Sequence, residues 1–291
     1  MTNPLILIDC NNACHIALHT MGELSHLDMK TGVIFGLFVR LMKLWDEFGS
    51  NRFVFCWDSR KRFRSALYPE YKRNREKAST LTPSERVIIS EQMQALRCEI
   101  LPAMGFRNQL HQTGYEGDDM IAHAALSCKS EFVVVSTDKD LFQLLAIAAC
   151  RFVYNTVTKK KMTRELFKQT YRVEPFEWVK VKALAGDGGD NIPGVPGVAE
   201  KTAAAFVLDE LKGKKLEAIH ANAELIARNI RLIRLPFEQE GFPVKVPPFQ
   251  RDELSVDRFI DVFDRHGFQS FLKPDKLEKW RRFADGAVGN V

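Results

Sequence analysis

The chain begins its ordered pattern with Leu5-Ile6-Leu7-Ile8, four consecutive apolar residues closed by Asp9, which predicts a short buried strand. Ile34, Leu37, Phe38, Leu41, Trp45 and Phe48 recur at helical spacing, and Phe53-Val54-Phe55-Cys56-Trp57 then reads as a second strand that stops at Asp58. Thr82-Pro83-Ser84-Glu85 marks a helix start, because Thr82 can cap, Pro83 suits the first helical position and Glu85 can close a capping box. That helix is predicted to run to about Leu101. A further helix begins near Asp118, and Phe132-Val133-Val134-Val135-Ser136 is another buried strand. Short apolar runs alternating with helical patterns predict an α/β fold, a mostly parallel central sheet flanked by helices. From about Met162 the pattern turns helical. Trp178 to Leu184 and Glu200 to Leu211 flank the loop Ala185 to Gly197, which holds five glycines and two prolines. Helices on either side of Gly194-Val195-Pro196-Gly197 predict a helix-hairpin-helix, whose glycines let backbone amides approach a phosphate. Lys245 to Phe249 reads as a surface connection ahead of C-terminal helices.

Composition narrows the class. With 291 residues, 45% of them hydrophobic, the chain is long enough for a sizeable core and is neither collagen-like nor disordered. No apolar run approaches the ~18 residues of a membrane span, and no basic region precedes Leu5. The expectation is a soluble cytoplasmic protein. Six cysteines, at 10, 14, 56, 98, 128 and 150, form no paired C-x-x-C sets and read as reduced, partly buried thiols. The net charge of +5 implies no partner by itself. Its distribution does, because Arg60 to Lys77 carries eight basic residues against two acidic ones, with Phe63, Tyr68 and Tyr71 interleaved.

Nine carboxylates stand where strands end or loops turn: Asp9, Asp58, Glu116, Asp118, Asp119, Asp138, Asp140, Asp187 and Asp190. In a parallel sheet the C-terminal strand ends share one edge, which would bring Asp9, Asp58 and Asp138-x-Asp140 to one crevice. Crowded carboxylates either raise each other's pKa or are neutralised by cations, and an all-oxygen donor set selects hard ions such as Mg²⁺ or Mn²⁺. Each alone has an ordinary structural reading, since acidic residues cap helices and favour the positive end of the helix dipole. A basic run is likewise most often a solvated face. A basic, aromatic-rich segment directly after a candidate metal ligand instead suggests a grip on nucleic-acid phosphates.

Taken together the motifs resemble the 5′-nuclease family, which comprises the amino-terminal 5′-nuclease domain of bacterial DNA polymerase I and the free-standing bacteriophage flap endonucleases. The matching blocks are Leu7-Ile8-Asp9-Cys10-Asn11-Asn12, Tyr68-Pro69-Glu70-Tyr71-Lys72-Arg73-Asn74-Arg75, Gly114-Tyr115-Glu116-Gly117-Asp118-Asp119, Ser136-Thr137-Asp138-Lys139-Asp140-Leu141 and Ala185 to Gly197. The resemblance implies a catalytic α/β domain over 1–161, with a helical arch at about 60–101, and a helix-hairpin-helix DNA-binding region over 162–291, with no polymerase module. It implies a structure-specific 5′-flap endonuclease and 5′-3′ exonuclease of replication and repair. Two divalent cations, Mg²⁺ or Mn²⁺, would stand roughly 4 Å apart and yield 5′-phosphate and 3′-hydroxyl products. By position, Asp9, Asp58, Glu116 and Asp118 surround one metal, and Asp138, Asp140 and Asp187 serve the other. Asp118 is placed to bridge the two, with Asp119 and Asp190 behind them. Some free-standing bacterial relatives lack several of these ligands; this chain has them all.

In the same resemblance Lys72 and Arg75 contact the scissile phosphate, Tyr71 stacks on an unpaired base, and Arg64 steers the phosphate. Lys182 and Lys201, with Gly194 and Gly197, contact the duplex backbone, where K⁺ can also be held. The implied partner is DNA with 5′ flaps, nicks or free 5′ ends, including RNA-primed strands. No membrane partner is implied, and the protein is expected as a monomer in a bacterial or phage-infected cell. Two positions depart from the family pattern. Ala199 replaces the second hairpin glycine, where a positive φ would disfavour it, and Cys10 follows Asp9 where relatives have glycine. A haloacid-dehalogenase-like phosphatase would need Asp-x-Asp after the first strand, which Asp9-Cys10-Asn11 lacks. A non-catalytic branched-DNA-binding protein is the alternative from another class.

Overall fold

The computed structural model describes residues 3–22, 24–26, 29–59, 62–78 and 81–286. Arg60 and Lys61, at the head of the basic run, lie outside the described residues, as does the side chain of Lys77. Besides a short antiparallel pair of Ser25–His26 with Met29–Lys30, the strands in chain order are β1 (Leu5–Asp9), β2 (Phe53–Cys56), β3 (Gln109–Leu110), β4 (Phe132–Val135), β5 (Cys150–Asn155) and β6 (Lys160–Met162), followed by a small hairpin of β7 (Gly186–Asp187) and β8 (Ile192–Pro193). The helices of the first half are α1 (Cys10–Met21), α2 (Gly32–Phe48), α3 (Phe63–Leu67), α4 (Arg73–Ala78), α5 (Pro83–Ala95) and α6 (Gly117–Ser127). Those of the second half are α7 (Arg164–Tyr171), α8 (Trp178–Ala185), α9 (Glu200–Val207), α10 (Lys214–Ala221), α11 (Ala223–Ile233), α12 (Val256–Arg265) and α13 (Pro274–Ala284).

Two compact units interleave along the chain: one of residues 1–57, 81–110 and 246–291, the other of 58–80 and 111–245. The sequence expectation had divided it at 161. In the first unit β1 pairs in parallel with β2, Ile6 opposite Phe53 and Asp9 opposite Cys56, and β2 pairs in parallel with β3. Their side chains are almost all buried, so the continuous apolar runs seen in the sequence are strands covered on both faces. The C-terminal helices complete this unit's core. Phe35 of α2 stacks on Phe271 at 4.5 Å, and Phe38 meets Phe263, Phe268 and Trp280 edge-on. Such offset and edge geometries suit the ring quadrupoles. The capping box at the start of α5 forms as expected: Glu85 N–H donates to Thr82 Oγ1 at 3.2 Å and Thr82 N–H to Glu85 Oε2 at 2.7 Å. The helix continues through a wide turn at Leu96–Ile100, beside the predicted end at Leu101.

In the second unit β4 and β5 are parallel and β6 runs antiparallel to β5. Of β1 to β6, five thus pair in parallel and one does not, the mostly parallel arrangement, flanked by helices, that the alternation predicted. Among the described residues no helix is long and apolar enough to cross a membrane.

Candidate active site

Eight of the nine carboxylates belong to the second unit; Asp9 belongs to the first. There Asp9 ends β1 and caps α1, accepting from the Asn12 amide at 3.0 Å. In the second unit Asp58 accepts from the Gly117 amide at 2.6 Å, at the positive end of α6. Glu116 is the N-cap of α6 in a reciprocal box with Asp119. Asp138 follows β4, held by Ser136 Oγ, which accepts its amide at 3.1 Å, and it accepts in turn from the Asp140 amide at 2.8 Å. Asp140 opens a 3₁₀ turn, Asp140–Ala146. Asp187 and Asp190 sit at the β7–β8 hairpin, where Asp190 N–H donates to Asp187 Oδ1 at 3.1 Å. The capping role assigned to such residues by the plainest sequence reading is therefore real for Asp9, Glu116 and Asp119.

Basic side chains from the 62–75 segment enter this cluster. Glu116 accepts from Lys72 Nζ at 2.7 Å, Tyr71 Oη at 2.7 Å and Arg64 Nη1 at 3.2 Å, with Arg62 Nε at 3.0 Å. Asp190 pairs with Arg75 and accepts from Tyr71 Oη at 3.1 Å. Lys182 donates to Asp187 at 2.6 Å and stands 3.5 Å from Asp140 Oδ1. The backbone of the same segment docks on the glycine loop: Lys72 N–H donates to the Asp190 carbonyl at 2.9 Å, and Asn74 Nδ2 to the Gly188 carbonyl at 2.6 Å.

Electrostatics divides the carboxylates into two groups. Burial alone would raise Glu116, but Lys72 and Arg64 overcome it and hold the carboxyl down at about 2. Burial likewise opposes the charged form of Asp187, and Lys182 overcomes it, so the carboxyl is held below its ordinary value. By contrast burial raises Asp58, with Glu116 adding repulsion, and burial with Asp119 raises Asp118 strongly. Asp138 is raised chiefly by burial, and Asp140 is pushed up to about 7 by burial and then by Asp138. Among the described residues no three acidic, histidine or cysteine side chains close into a ready-made metal cage. The donors still fit a hard divalent cation. All are oxygens, four of them carry negative charge that burial and neighbours disfavour, and Oδ1 of Asp140 is buried with no hydrogen-bond partner.

Residues 4–172 match the family model of the 5′-3′ exonuclease N-terminal, resolvase-like domain. The chain belongs to the 5′-3′ exonuclease family. It is 30% identical to the 5′-3′ exonuclease of Buchnera aphidicola, over 77% of this chain and 76% of that protein. It is 35% identical to DNA polymerase I of Bacillus subtilis, over 92% of this chain and 32% of the polymerase, so it spans about a third of the length of its polymerase relatives. The fold also matches the bacteriophage T5 flap endonuclease solved with DNA and metal ions, with a TM-score of 0.64 and 20% identity over 98% of this chain and 100% of that one.

Several residues assigned by resemblance to this exonuclease family sit differently from what that resemblance implies. Tyr71, expected to stack on a base, is 5% exposed, with its ring among Val179, Ala183, Ile192, Leu232 and Ile233. Its hydroxyl reaches two carboxylates because the apolar pocket leaves only that edge near polar groups. Arg64, expected to steer phosphate, is 3% exposed and engages Asp119, Glu116 and the Leu232 carbonyl. Asp119 has both oxygens saturated, by Arg64 and by the amides of Glu116 and Phe237, so it organises the site without a free lone pair for a cation. Lys182, expected on duplex phosphates, is buried between Asp140 and Asp187. Lys201, in the first turn of α9, is exposed. Gly197 has φ +76° with open space where a Cβ would stand, whereas a Cβ on Gly194 would meet the Ala185 carbonyl oxygen at 2.2 Å. Ala199 takes φ −101° and ψ 173° as N-cap of α9, an extended conformation any residue adopts, so the positive-φ cost expected there does not arise. Cys10 is fully buried, and burial raises its thiol far above the usual range.

Sequence reasoning did not single out Gln143, Asn229 or Arg62 as individual contributors. Amide contacts to distant carbonyls, and an arginine's approach to a carboxylate 54 residues away, leave no local spacing signal.

The Glu116 pairing carries a signed pH dependence. A carboxyl held at about 2 in the fold and near 4.5 when unfolded contributes stability above pH 4.5 and loses it as pH falls toward 2. The stability difference between wild type and Glu116→Gln in metal-free buffer is therefore expected to stay level from pH 6 to about pH 5 and to shrink steadily from there to pH 3. Denaturant melts across that range check it, and a pH-independent difference would contradict the pairing.

Proposed function

We propose that this protein is a structure-specific 5′-nuclease, acting as a 5′-flap endonuclease and 5′-3′ exonuclease on DNA in replication and repair. The observation that carries the reading is the interlocking of Glu116, Asp140, Asp187 and Asp190 with Lys72, Arg75 and Lys182 inside a compact unit that holds eight of the nine carboxylates. A family relative described as a 5′-3′ exonuclease, and a fold neighbour solved with DNA and metal ions, support it. Asp58, Glu116, Asp118, Asp138, Asp140 and Asp187 would hold two divalent cations, Mg²⁺ or Mn²⁺. Bound there, the cations would supply activation of a water and neutralisation of charge developing on the phosphate.

The remaining work falls to the chain's own groups. Lys72 and Arg75, which now pair with Glu116 and Asp190, are cations placed to exchange those partners for phosphate oxygens. Burial opposes the ammonium of Lys72, but Glu116 and Asp190 more than restore it, so Lys72 stays charged at neutral pH. Tyr71, Arg64 and Asp119 hold the carboxylates in place. Gly197, just ahead of α9, and Lys201, in its first turn, would take the duplex backbone without reading sequence. In this reading duplex binding falls to 162–291, a stretch that also lends Asp187, Asp190 and Lys182 to the carboxylate cluster, and the helices between 60 and 101 form the arch that admits a free 5′ strand.

The test is a labelled 5′-flap incubated with and without Mg²⁺. Cleavage near the junction only with Mg²⁺ is expected, and metal-independent binding with no cleavage would favour the non-catalytic branched-DNA-binding alternative.

A further inference from the structure

Two amide side chains that carry no charge and hold no place among the carboxylates tie a single helix, α11, to two different segments. Asn229, fully buried on α11, donates from Nδ2 to the carbonyls of Ala183 at 2.9 Å and Pro193 at 2.8 Å. Those carbonyls bracket the β7–β8 hairpin that bears Asp187 and Asp190. One turn further along α11, Gln143 donates from Nε2 to the carbonyls of Ile233 and of Asp140 itself, each at 3.0 Å, and accepts from the Leu235 amide at 3.2 Å. Gln143 lies in the 3₁₀ turn that Asp140 opens. Arg64 and Asp119 hold the same stretch, through the Leu232 carbonyl at 2.6 Å and the Phe237 amide at 2.8 Å. Four acid-bearing or acid-pairing segments are therefore referenced to residues 229–237.

We propose that Gln143 and Asn229 are positioning residues that fix the spacing between the Asp138/Asp140 and Asp187/Asp190 pairs by anchoring both to α11. The inference rests on the reading of the cluster as a divalent-cation nuclease site. Its physical basis is that the two pairs lie on a short 3₁₀ turn and a two-strand hairpin, neither stiff by itself, whereas an α-helix fixes the rise between positions 229 and 233 at about 6 Å. An amide that satisfies two or three backbone groups at once holds a segment in both distance and orientation. Partners of this kind behind metal-binding side chains are worth about 10- to 100-fold in metal affinity or activity. The competing view is that the two amides only glue helices together, in which case their loss would lower melting temperature and leave metal binding alone.

The experiment uses the full chain carrying Gln143→Leu or Asn229→Ala. Three quantities are read: Mn²⁺ affinity from the electron paramagnetic resonance signal of free Mn²⁺, kcat and KM on a 5′-flap in Mg²⁺, and flap binding in EDTA. Mn²⁺ affinity and kcat are expected to fall about 10- to 100-fold, with KM and EDTA binding within about twofold of wild type. Gln143 is half-buried, so Gln143→Leu decides the matter if Asn229→Ala fails to fold. A folded Gln143→Leu that binds Mn²⁺ as tightly as wild type overturns the inference while leaving the nuclease reading intact. Wild-type protein that neither binds Mn²⁺ nor cleaves the flap overturns the nuclease reading first, and the inference with it.

Discussion

Asp138→Asn is expected to lower 5′-flap cleavage by at least about 10³-fold and, in metal-free buffer, to raise the melting temperature. The two effects share one cause. Asp138 is buried, and burial raises its carboxyl, with Asp190 adding repulsion. It in turn raises Asp140, whose carboxyl already stands at about 7. Without a cation, that crowding of negative charge opposes folding; with one, the same charge would hold the ion. An asparagine keeps the oxygen that accepts the Asp140 amide at 2.8 Å and removes only the charge. Relief of about 1 kcal/mol would raise the melting temperature by about 2–4 °C. Circular-dichroism melts in EDTA, paired with single-turnover cleavage in Mg²⁺, read both effects. Retained turnover would remove Asp138 from the metal site, and a lower melting temperature would show that its charge is not a cost in the metal-free fold.

Arg64→Met should produce the largest loss of stability of any single change in the site, about 3–5 kcal/mol. The guanidinium is 3% exposed and uses its Nε on the Leu232 carbonyl at 2.6 Å, Nη1 on Asp119 and Glu116 at 2.6 and 3.2 Å, and Nη2 on Asp119 at 2.8 Å. It also lies over the Phe237 ring, 4.8 Å from its centre. Methionine fills much of the volume but leaves the Asp119 carboxylate, fully buried, without its cation. At about 2–4 °C per kcal/mol, the melting temperature should fall on the order of 10 °C. The double variant Arg64→Met, Asp119→Asn removes both charges and should be more stable than the single Arg64→Met, because an unpaired buried charge costs more than an absent pair. A single variant that melts within about 2 °C of wild type would show the pair to be dispensable.

Much of the fold was legible because its core strands are unbroken apolar runs and its helix starts are chemically marked. Leu5–Asp9, Phe53–Cys56 and Phe132–Val135 followed from runs that only a doubly covered strand tolerates, and Thr82 with Glu85 announced α5. The two-residue strand Gln109–Leu110 and the β5–β6 pair escaped, since short or edge strands with exposed lysines carry no such run. Glu200 to Leu211 was read too long: the helix ends at Val207, and Asp209 takes a positive φ of 56°. In the site, residue types were readable but burial was not. Arg64, Tyr71 and Lys182 look in sequence like surface contacts for nucleic acid, and the fold turns them inward because each finds a carboxylate partner, buried for Arg64 and Tyr71 and half-buried for Lys182. The reading from charge alone could not make that distinction, since pairing between residues 64 and 119 or 182 and 187 depends on tertiary approach or on a turn's geometry.

The central claim is tested most directly by one product map: a 5′-flap duplex, labelled on the flap strand, incubated with wild-type protein in Mg²⁺ and resolved beside size and end-group standards. The account predicts scission within a nucleotide or so of the junction, a 5′-phosphate on the retained strand, a 3′-hydroxyl on the released flap, and no product in EDTA. Tight binding of the flap with no scission in Mg²⁺ or Mn²⁺, or scission that persists in EDTA, would contradict it.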